Sequence, residues 1–271
     1  MNKYVHGYSP RETQRLQEQS EILEELLHSD TFYPTGNRVL EAGCGVGGQT
    51  VILARRSPEA EFTCVDISTR SLAEAEAHAT REGMRNARFQ QADVMRLPFE
   101  EESFDHAFVC FLLEHLSHPL EALIELKRVI KEGGTLTLIE GDHGSCFWYP
   151  QTAESLKVWG CMIGSQQQLG HDPLIGRRLY PLLKEADFEV EYVSPRWVYA
   201  DALNPQLRNG MINKIIVPMT RTARETSIDT GMIVTEEWER GIADMASVDT
   251  SPEGTFFYTW FKGVAIKRVY F

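Results

Sequence analysis

Short apolar runs alternate with amphipathic segments through the first half of the chain. An apolar run bounded by turn residues is typical of a buried strand, whereas apolar residues at every third or fourth position indicate a helix. The runs predict strands at residues 38–42, 61–66, 87–91, 104–111 and 135–140. Helical spacing is found at residues 11–28, 49–56, 71–83 and 119–131. This alternation predicts an α/β fold, Rossmann-like and doubly wound, with a mostly parallel sheet.

The second half of the chain is less regular. Its pattern predicts helices at residues 152–169, 176–186, 205–222 and 236–246, and strands at residues 188–199 and 255–269. The predicted sheet is therefore seven-stranded, and its aromatic, β-branched last strand is expected to run antiparallel. The connection over residues 204–249 is longer than two strands require, so we predict a helical lid insertion there.

Charge and cysteine content indicate which binding partners and which cellular compartment to expect. Formal net charge is −12, from 27 Lys and Arg against 39 Asp and Glu. Such a surface repels phosphate backbones, so we expect no nucleic-acid partner. The polar start of the chain and the lack of a long apolar stretch predict neither a secretory leader nor membrane insertion. Five scattered cysteines without a C-x-x-C pair favour reduced thiols in a cytoplasmic protein.

A glycine-rich loop follows the first predicted strand. Gly43, Gly45 and Gly48 satisfy G-x-G-x-x-G, and Gly47 adds the alternative spacing G-x-G-x-G. Either spacing lets the backbone turn tightly beneath a ligand at a helix N-terminus. Asp66 ends the next strand, roughly 20 residues on, where an acid usually accepts ribose hydroxyls. The glycines alone fit NAD as well as S-adenosylmethionine (SAM), and a turn that binds nothing is the third interpretation.

Two acids outside the loop favour SAM. Glu41 directly precedes the loop, where a carboxylate suits the methionine amine or the water around it and disfavours a pyrophosphate. Asp93 ends the third strand and can accept a hydrogen bond from the adenine amine. A nicotinamide-dependent oxidoreductase, the first alternative, gives neither acid a role. The second alternative is a non-catalytic module that binds SAM or docks a partner.

These motifs together resemble class I SAM-dependent methyltransferases. The resemblance covers roughly residues 38–140, including residues 39–47, Asp66, the Ala92-Asp93 pair, and segments 97–99 and 104–105. Segments 113–116 and 126–134 are similar to the ubiquinone and menaquinone biosynthesis branch and its small-molecule relatives. The resemblance implies methyl transfer from SAM to O, N or C of a small molecule, with S-adenosylhomocysteine (SAH) as product and no metal.

The resemblance also implies a set of cofactor-binding residues, from the methionine end of SAM to its adenine. Glu41 and the glycine loop would lie at the methionine end, Asp66 would hold the ribose, and Asp93 would bind adenine. The full set is Tyr8, Arg15, Glu41, Gly43, Cys44, Gly45, Gly47, Asp66, Ile67, Ala92, Asp93, Val94 and Phe111. Tyr8 and Arg15 belong to an N-terminal segment similar to one that closes over the cofactor in some relatives; an exposed surface arginine is an equally good interpretation of Arg15.

Two histidines are candidate catalytic residues. His115 follows the fourth strand and His143 follows the fifth, which places both at the carboxyl edge of the sheet, where ligands bind in such folds. Either could orient the acceptor or accept a proton. Packing against the sheet edge is at least as good an interpretation. His115 and His118 have no third metal ligand near them in sequence, so we predict no metal site.

The sequence also supports expectations about the acceptor, the oligomeric state and the division of the chain into parts. The fourth strand is not followed by the Asn/Asp-Pro-Pro-aromatic motif that N-methylators of nucleic-acid bases and glutamine use. Together with the acidic charge, this argues against DNA and most RNA acceptors and leaves protein acceptors open beside the small molecule that we expect. We expect a monomer or homodimer. We also expect one domain over residues 1–271, with an N-terminal cap at 1–35, a SAM-binding core at 36–142 and an acceptor-side half at 143–271.

Overall fold

A computed structural model describes residues 10–268 of the chain. Five parallel strands form one half of its sheet, in the order β3-β2-β1-β4-β5. They are β1 (Arg38–Ala42), β2 (Glu61–Asp66), β3 (Ala87–Gln91), β4 (Phe104–Cys110) and β5 (Ile130–Gly141). The first three coincide with the predicted strands. β5 begins five residues before its predicted start at residue 135, and residues 131–134 bulge within it: Phe104 pairs with Ile130, but His106 pairs with Thr135.

Four helices accompany these strands, as predicted. They are α1 (Pro10–His28), α2 (Gly48–Arg56), α3 (Thr69–Arg81) and α4 (Pro119–Val129). The Ser68 side chain caps α3 by accepting a hydrogen bond from the Ser71 N–H. Pro119 starts α4, where its missing N–H costs nothing. The helix ends two residues before its predicted end, because Ile130 is already extended and begins β5.

Both faces of the sheet are buried. Successive side chains of a strand point to opposite faces, and Phe108 of β4 joins one apolar core while its neighbours Ala107 and Val109 join the other. All three are fully buried. Leu53 of α2 belongs to the core of Phe108. Each fully buried large apolar side chain stabilises the fold by roughly 1.5–3 kcal/mol, so β4 anchors the helices packed on both faces.

The second half adds three strands, two helices that precede or separate them, and a helical segment between the last two strands. The three strands and two helices are β6 (Phe147–Tyr149), α5 (Ala153–Gln168), α6 (Leu179–Glu185), β7 (Phe188–Ala200) and β8 (Thr255–Lys267). The last strand runs antiparallel to β5, β6 and β7, which confirms its predicted direction. The sheet of the described residues has eight strands rather than seven. The additional strand, β6, is only three residues long, too short for an alternating pattern to be recognised.

The segment between β7 and β8 is helical, as predicted. It contains α7 (Pro205–Asn209), a π-helix (Gly210–Ile216), α8 (Val217–Arg221), α9 (Arg224–Asp229) and α10 (Thr235–Ser247). The single helix predicted over residues 205–222 is interrupted by the π-helix. Pro218, in the first turn of α8, has no N–H and its ring crowds the preceding turn, which favours a widened helix before it. Whether the insertion moves as a lid stays a prediction.

A buried lysine fixes the C-terminal end of α1 to the sheet. Lys262 of β8 is 1% exposed, and its Nζ donates hydrogen bonds to Asp30 Oδ1 at 2.6 Å and Thr31 Oγ1 at 2.5 Å. The same nitrogen lies 3.4 Å from the Leu27 carbonyl oxygen, in the last turn of the helix. A cation near the C-terminus also complements the helix dipole. The anchored end sets the position of the rest of α1.

Over residues 10–268, none of the helices combines the length and the apolar character needed to cross a bilayer.

Two helical glycines give a matched test of the packing between α5 and α10. A Cβ at Gly241 of α10 would overlap the Glu154 carbonyl oxygen and lie 2.7 Å from Val158 Cγ1. A Cβ at Gly160 of α5 would meet nothing within 4 Å. In urea unfolding followed by circular dichroism, we expect Gly241→Ala to lower the free energy of unfolding by ~1–3 kcal/mol. We expect Gly160→Ala to raise it by ~0.5–1 kcal/mol through helix propensity. Equal effects of the two substitutions would contradict the close contact.

Candidate functional site

A cavity of about 580 Å³ opens at the carboxyl ends of β1 to β4. Residues of α1, including Leu16 and Gln19, form its outer wall. The structure brings most of the predicted cofactor residues together on its surface. These are Gly43, Cys44, Gly45, Asp66, Ile67, Ala92, Asp93, Val94 and Phe111. The candidate catalytic residue His115 lies on the same wall.

The glycine loop turns because its backbone adopts conformations that other residues disfavour. Gly43, Gly45 and Gly47 have φ values of 75°, 53° and 78°. A Cβ at Gly43 would lie 2.9 Å from the Leu112 side chain, and one at Gly47 would lie 3.0 Å from Ala75. Gly43 and Gly45 face the cavity, whereas Gly47 packs against α3 and caps the N-terminus of α2. The loop therefore leaves a cradle that a side chain at Gly43 would fill.

Asp66 joins the loop to the end of β2. Its Oδ2 accepts a hydrogen bond from the Gly45 N–H at 2.9 Å, and its Oδ1 accepts one from the Ser68 N–H at 2.8 Å. Burial raises the pKa of this carboxyl above its ordinary value, although the backbone N–H groups oppose the shift. Each carboxylate oxygen has a second lone pair, so Asp66 can hold the loop and still accept ligand hydroxyls.

The far end of the cavity is built for a planar ring with a polar edge. Ile67 is 61% exposed although it is a large apolar side chain, and it lies on the wall together with buried Val94. Asp93 is exposed, and its Oδ1 accepts a hydrogen bond from the Met95 N–H at 2.9 Å. This combination suits adenine, which has apolar faces and an amine at its edge.

Glu41 lies beneath the loop rather than on the cavity wall. It is 2% exposed, and its Oε2 accepts a hydrogen bond from Thr50 Oγ1 at 2.5 Å. Burial raises its pKa to about 7, partly offset by hydrogen bonds from Thr50 and Cys64. The sequence predicts Glu41 among the residues at the methionine end, but it is not among the residues that line the cavity. In the structure it instead ties β1 to α2 behind the loop, because its side chain points into the protein.

Arg15 also differs from an exposed surface arginine. It is 5% exposed, and its guanidinium donates to both carboxylate oxygens of Glu12 at 2.8 and 2.6 Å and to Gln19 Oε1 at 2.6 Å. Tyr8, its predicted partner, lies outside the described residues. Arg15 faces a second, smaller cavity instead of the 580 Å³ cavity.

The second cavity adjoins the first and has a volume of about 60 Å³. The two share Leu16, Gln19, Phe111 and His115. One wall of the small cavity is apolar, with Ile215 and Ile216 of the π-helix. The remaining walls carry buried polar and aromatic groups, namely Arg15, Glu114, His143, Tyr258 and Trp260. Tyr258 and Trp260 line the small cavity and also belong to the apolar core that contains Trp148 and Trp159.

Both candidate catalytic histidines lie beside this small cavity. His143 Nδ1 is 2.5 Å from Tyr258 Oη, and His143 Nε2 is 3.5 Å from Glu114 Oε2. His115 Nε2 is 3.4 Å from Glu114 Oε1. Burial lowers the pKa of each histidine to about 3, helped at both by nearby positive charge. Both imidazoles are therefore neutral at pH 7.

Glu114 is the site residue that sequence reasoning missed. It lies in the 3₁₀ turn Leu113–His115 that follows β4, directly before a predicted site residue, and it is 7% exposed. The available signal was an acid at the carboxyl edge of the sheet. Within residues 10–268 there is no group of three or more His, Cys, Asp or Glu that could hold a metal ion, and His118 is exposed beside Glu121.

Comparisons with known proteins agree with this geometry. Residues 40–138 match the family described as "Methyltransferase domain". An uncharacterized methyltransferase of Schizosaccharomyces pombe is 28% identical over 237 residues, 82% of this chain and 84% of that protein. Demethylmenaquinone methyltransferase of Staphylococcus aureus is 32% identical over 124 residues. That alignment covers 45% of this chain and 51% of the relative, about half of its length.

The fold is also similar to that of solved methyltransferase structures. Phosphoethanolamine N-methyltransferase 2 of Haemonchus contortus superposes with a TM-score of 0.56 at 16% identity, over 93% of this chain and 52% of that one. The fold, the matched domain and the relatives confirm the resemblance seen in the sequence. Residues 40–138 therefore match a methyltransferase domain, and the chain resembles SAM-dependent methyltransferases. It is an enzyme whose cofactor is SAM, and the glycine cradle, Asp66 and the Ile67 face fit that molecule.

The raised pKa of Glu41 predicts a specific dependence of stability on pH. A carboxyl whose pKa is about 7 when folded and 4.5 when unfolded binds an extra proton in the native state between those values. The free energy of unfolding therefore falls as pH rises from about 4.5 to 7, by roughly 3 kcal/mol from this group. Glu41→Gln removes the ionisation but keeps an acceptor for Thr50. Urea unfolding of both proteins at several pH values should give a difference that grows towards pH 7; parallel curves would rule out the raised pKa.

Proposed function

We propose that the enzyme transfers the methyl group of SAM to O, N or C of a small-molecule acceptor that binds in the small cavity. The observation that carries this proposal is the junction of the two cavities at Phe111 and His115. SAM, when bound, supplies an electrophilic methyl group on a sulfonium. The chain has to position the acceptor in line with that methyl group and exclude water, which can supply much of the rate enhancement.

The cofactor roles proposed for individual residues follow from their places on the large cavity. Gly43, Cys44 and Gly45 line the large cavity, with Gly43 against Leu112 after β4, and would receive the methionine part. Asp66 would accept the ribose hydroxyls, and Asp93 the adenine amine, with the ring against Ile67. Phe111, where the cavities join, would lie near the sulfonium. Arg15 and Glu41 would act on the methionine part only indirectly, through the residues that they hold in place.

The small cavity supports an acceptor with both apolar and polar parts. Ile215 and Ile216 offer an apolar wall, and the pocket is closed by Trp260 on the sheet side. His115 and His143 are neutral and can orient the acceptor by hydrogen bonding. A cavity of about 60 Å³ beside the proposed methyl position suits a compact group rather than the backbone of a macromolecule.

We also propose the setting in which the enzyme works. The five free thiols are consistent with the reducing cytoplasm, and the net charge of −12 disfavours nucleic-acid partners. A monomer or homodimer stays the expectation. We propose one domain over residues 1–271, in which the cap at 1–35 and the half at 143–271 close over the core at 36–142.

Asp66 gives the most direct test of the cofactor roles. Asp66→Ala should weaken SAM binding by about 1–3 kcal/mol, because the ribose hydroxyls and the Gly45 N–H lose their acceptor. Isothermal titration calorimetry with SAM and SAH measures this loss, and NAD should not bind to either protein. Asp105→Ala is the control, since Asp105 lies at the amino end of β4, away from the cavity. Unchanged SAM affinity in the Asp66 variant would overturn the ribose assignment.

A transfer screen tests the proposed function as a whole. The purified enzyme is incubated with methyl-labelled SAM and fractionated small-molecule extracts, and label is followed into products. We expect label in a product of low molecular weight, and none in nucleic acid or protein supplied in parallel. Label that enters only a macromolecule would contradict the small-molecule acceptor.

A further inference from the structure

A buried carboxylate at the small cavity has an oxygen without a hydrogen-bond partner. Glu114 Oε2 accepts no hydrogen bond among the described residues, and the side chain is only 7% exposed. The same oxygen lies 3.5 Å from His143 Nε2. A buried acceptor left without a donor is costly, and such a group in a native structure calls for an explanation. Because Glu114 lines the cavity, a ligand there could supply the missing donor.

The surroundings of Glu114 make it the proton acceptor of the cluster. Burial raises its pKa, with Asp172 adding to the shift and the positive charge of Arg15 opposing it. The carboxyl of Glu140 is fully buried, and burial together with the charge of Glu114 raises its pKa above the ordinary value. His115 and His143 are weak bases, since burial holds their pKa values at about 3.

The protein also holds Glu114 in place. Glu140 Oε1 accepts hydrogen bonds from the N–H groups of Leu112 and Leu113, at 3.0 and 2.8 Å, and so fixes the turn that carries Glu114. On the other side, His143 is fixed by Tyr258 Oη and by its carbonyl oxygen, which accepts a hydrogen bond from Trp159 Nε1 at 3.0 Å. A side chain fixed on two sides and open towards a cavity is preorganised for a ligand.

We propose that Glu114 is the catalytic base of the methyl transfer and that the acceptor is a hydroxyl on an apolar, phenol-like ring. This inference rests on the proposed function. The ring would lie against Ile215 and Ile216, and the hydroxyl would donate to Glu114 Oε2. As the bond between the acceptor oxygen and the methyl carbon forms, the bond between that carbon and sulfur breaks, and its electron pair stays on sulfur. The hydroxyl proton passes to the carboxylate, so the products are the methyl ether, neutral SAH and protonated Glu114.

Binding of two small probes tests this inference without turnover. The protein saturated with SAH is titrated calorimetrically with phenol and with anisole, which share a ring but differ in the hydroxyl donor. We expect phenol to bind at least about tenfold more tightly than anisole, because a hydrogen bond to a buried carboxylate is strong. In Glu114→Gln the preference should shrink to less than about threefold. Glu121→Gln, which replaces an exposed carboxylate of α4 that lines neither cavity, should keep it.

The outcomes separate this inference from the proposed function. Equal binding of phenol and anisole to the native protein, or binding of neither, would overturn the inference even if the Glu114 variant failed to fold. Persistence of the preference in a Glu114→Gln protein that still binds SAH would overturn it as well. The proposed function would survive each of these results if the transfer screen labelled a small molecule. It would fail if the screen labelled no small molecule, even if the protein preferred phenol to anisole.

Discussion

The hydrogen bond from the Gly45 N–H to Asp66 fixes the centre of this molecule. It joins the loop after β1 to the end of β2 at 2.9 Å, and the Gly43 and Cys44 N–H groups reinforce the junction by donating to the Val65 carbonyl oxygen. With the two strand ends held together, the N-terminus of α2 and the end of β3 open onto one cavity. The same carboxylate that stabilises the turn is the acceptor that a ribose requires. Under the proposed function, cofactor binding and the local fold would therefore depend on one side chain.

A second constraint is the number of ionisable groups buried at the site. Glu41, Glu114 and Glu140 are all nearly inaccessible, as is His143. Each loses hydration on folding, and burial moves every one of their pKa values towards the neutral form. The anchoring of α1 by Lys262 and the packing of the helical insertion on α5 keep this polar region closed. The apolar cores on the two sheet faces stabilise the fold, and this stabilisation offsets the unfavourable burial of ionisable groups at the site.

Local patterns predicted the parallel half of the fold closely, because its strands are short, apolar and bounded by glycine or charged residues. The errors arose where pairing with distant residues decides the structure. The bulge at Gly133 depends on the register against β4, and β6 exists only through its pairing with β8. The cavity-lining glycines and acids followed from spacing. The burial of Glu41 did not, because the neighbours that enclose it, Thr50 and Cys64, lie on other elements. Glu114 was missed for the same reason: its partner His143 is distant in sequence and follows a different strand.

The central claim is that one cavity, with Asp66 at its middle and the small polar cavity at its end, holds both reactants. A crystal structure of the enzyme with SAH tests it most directly. The account predicts the adenine against Ile67, the ribose hydroxyls on Asp66, and the sulfur beside Phe111 and facing the cavity that contains Glu114. Electron density for SAH at another place on the protein, or with its sulfur turned away from Phe111 and Glu114, would contradict it.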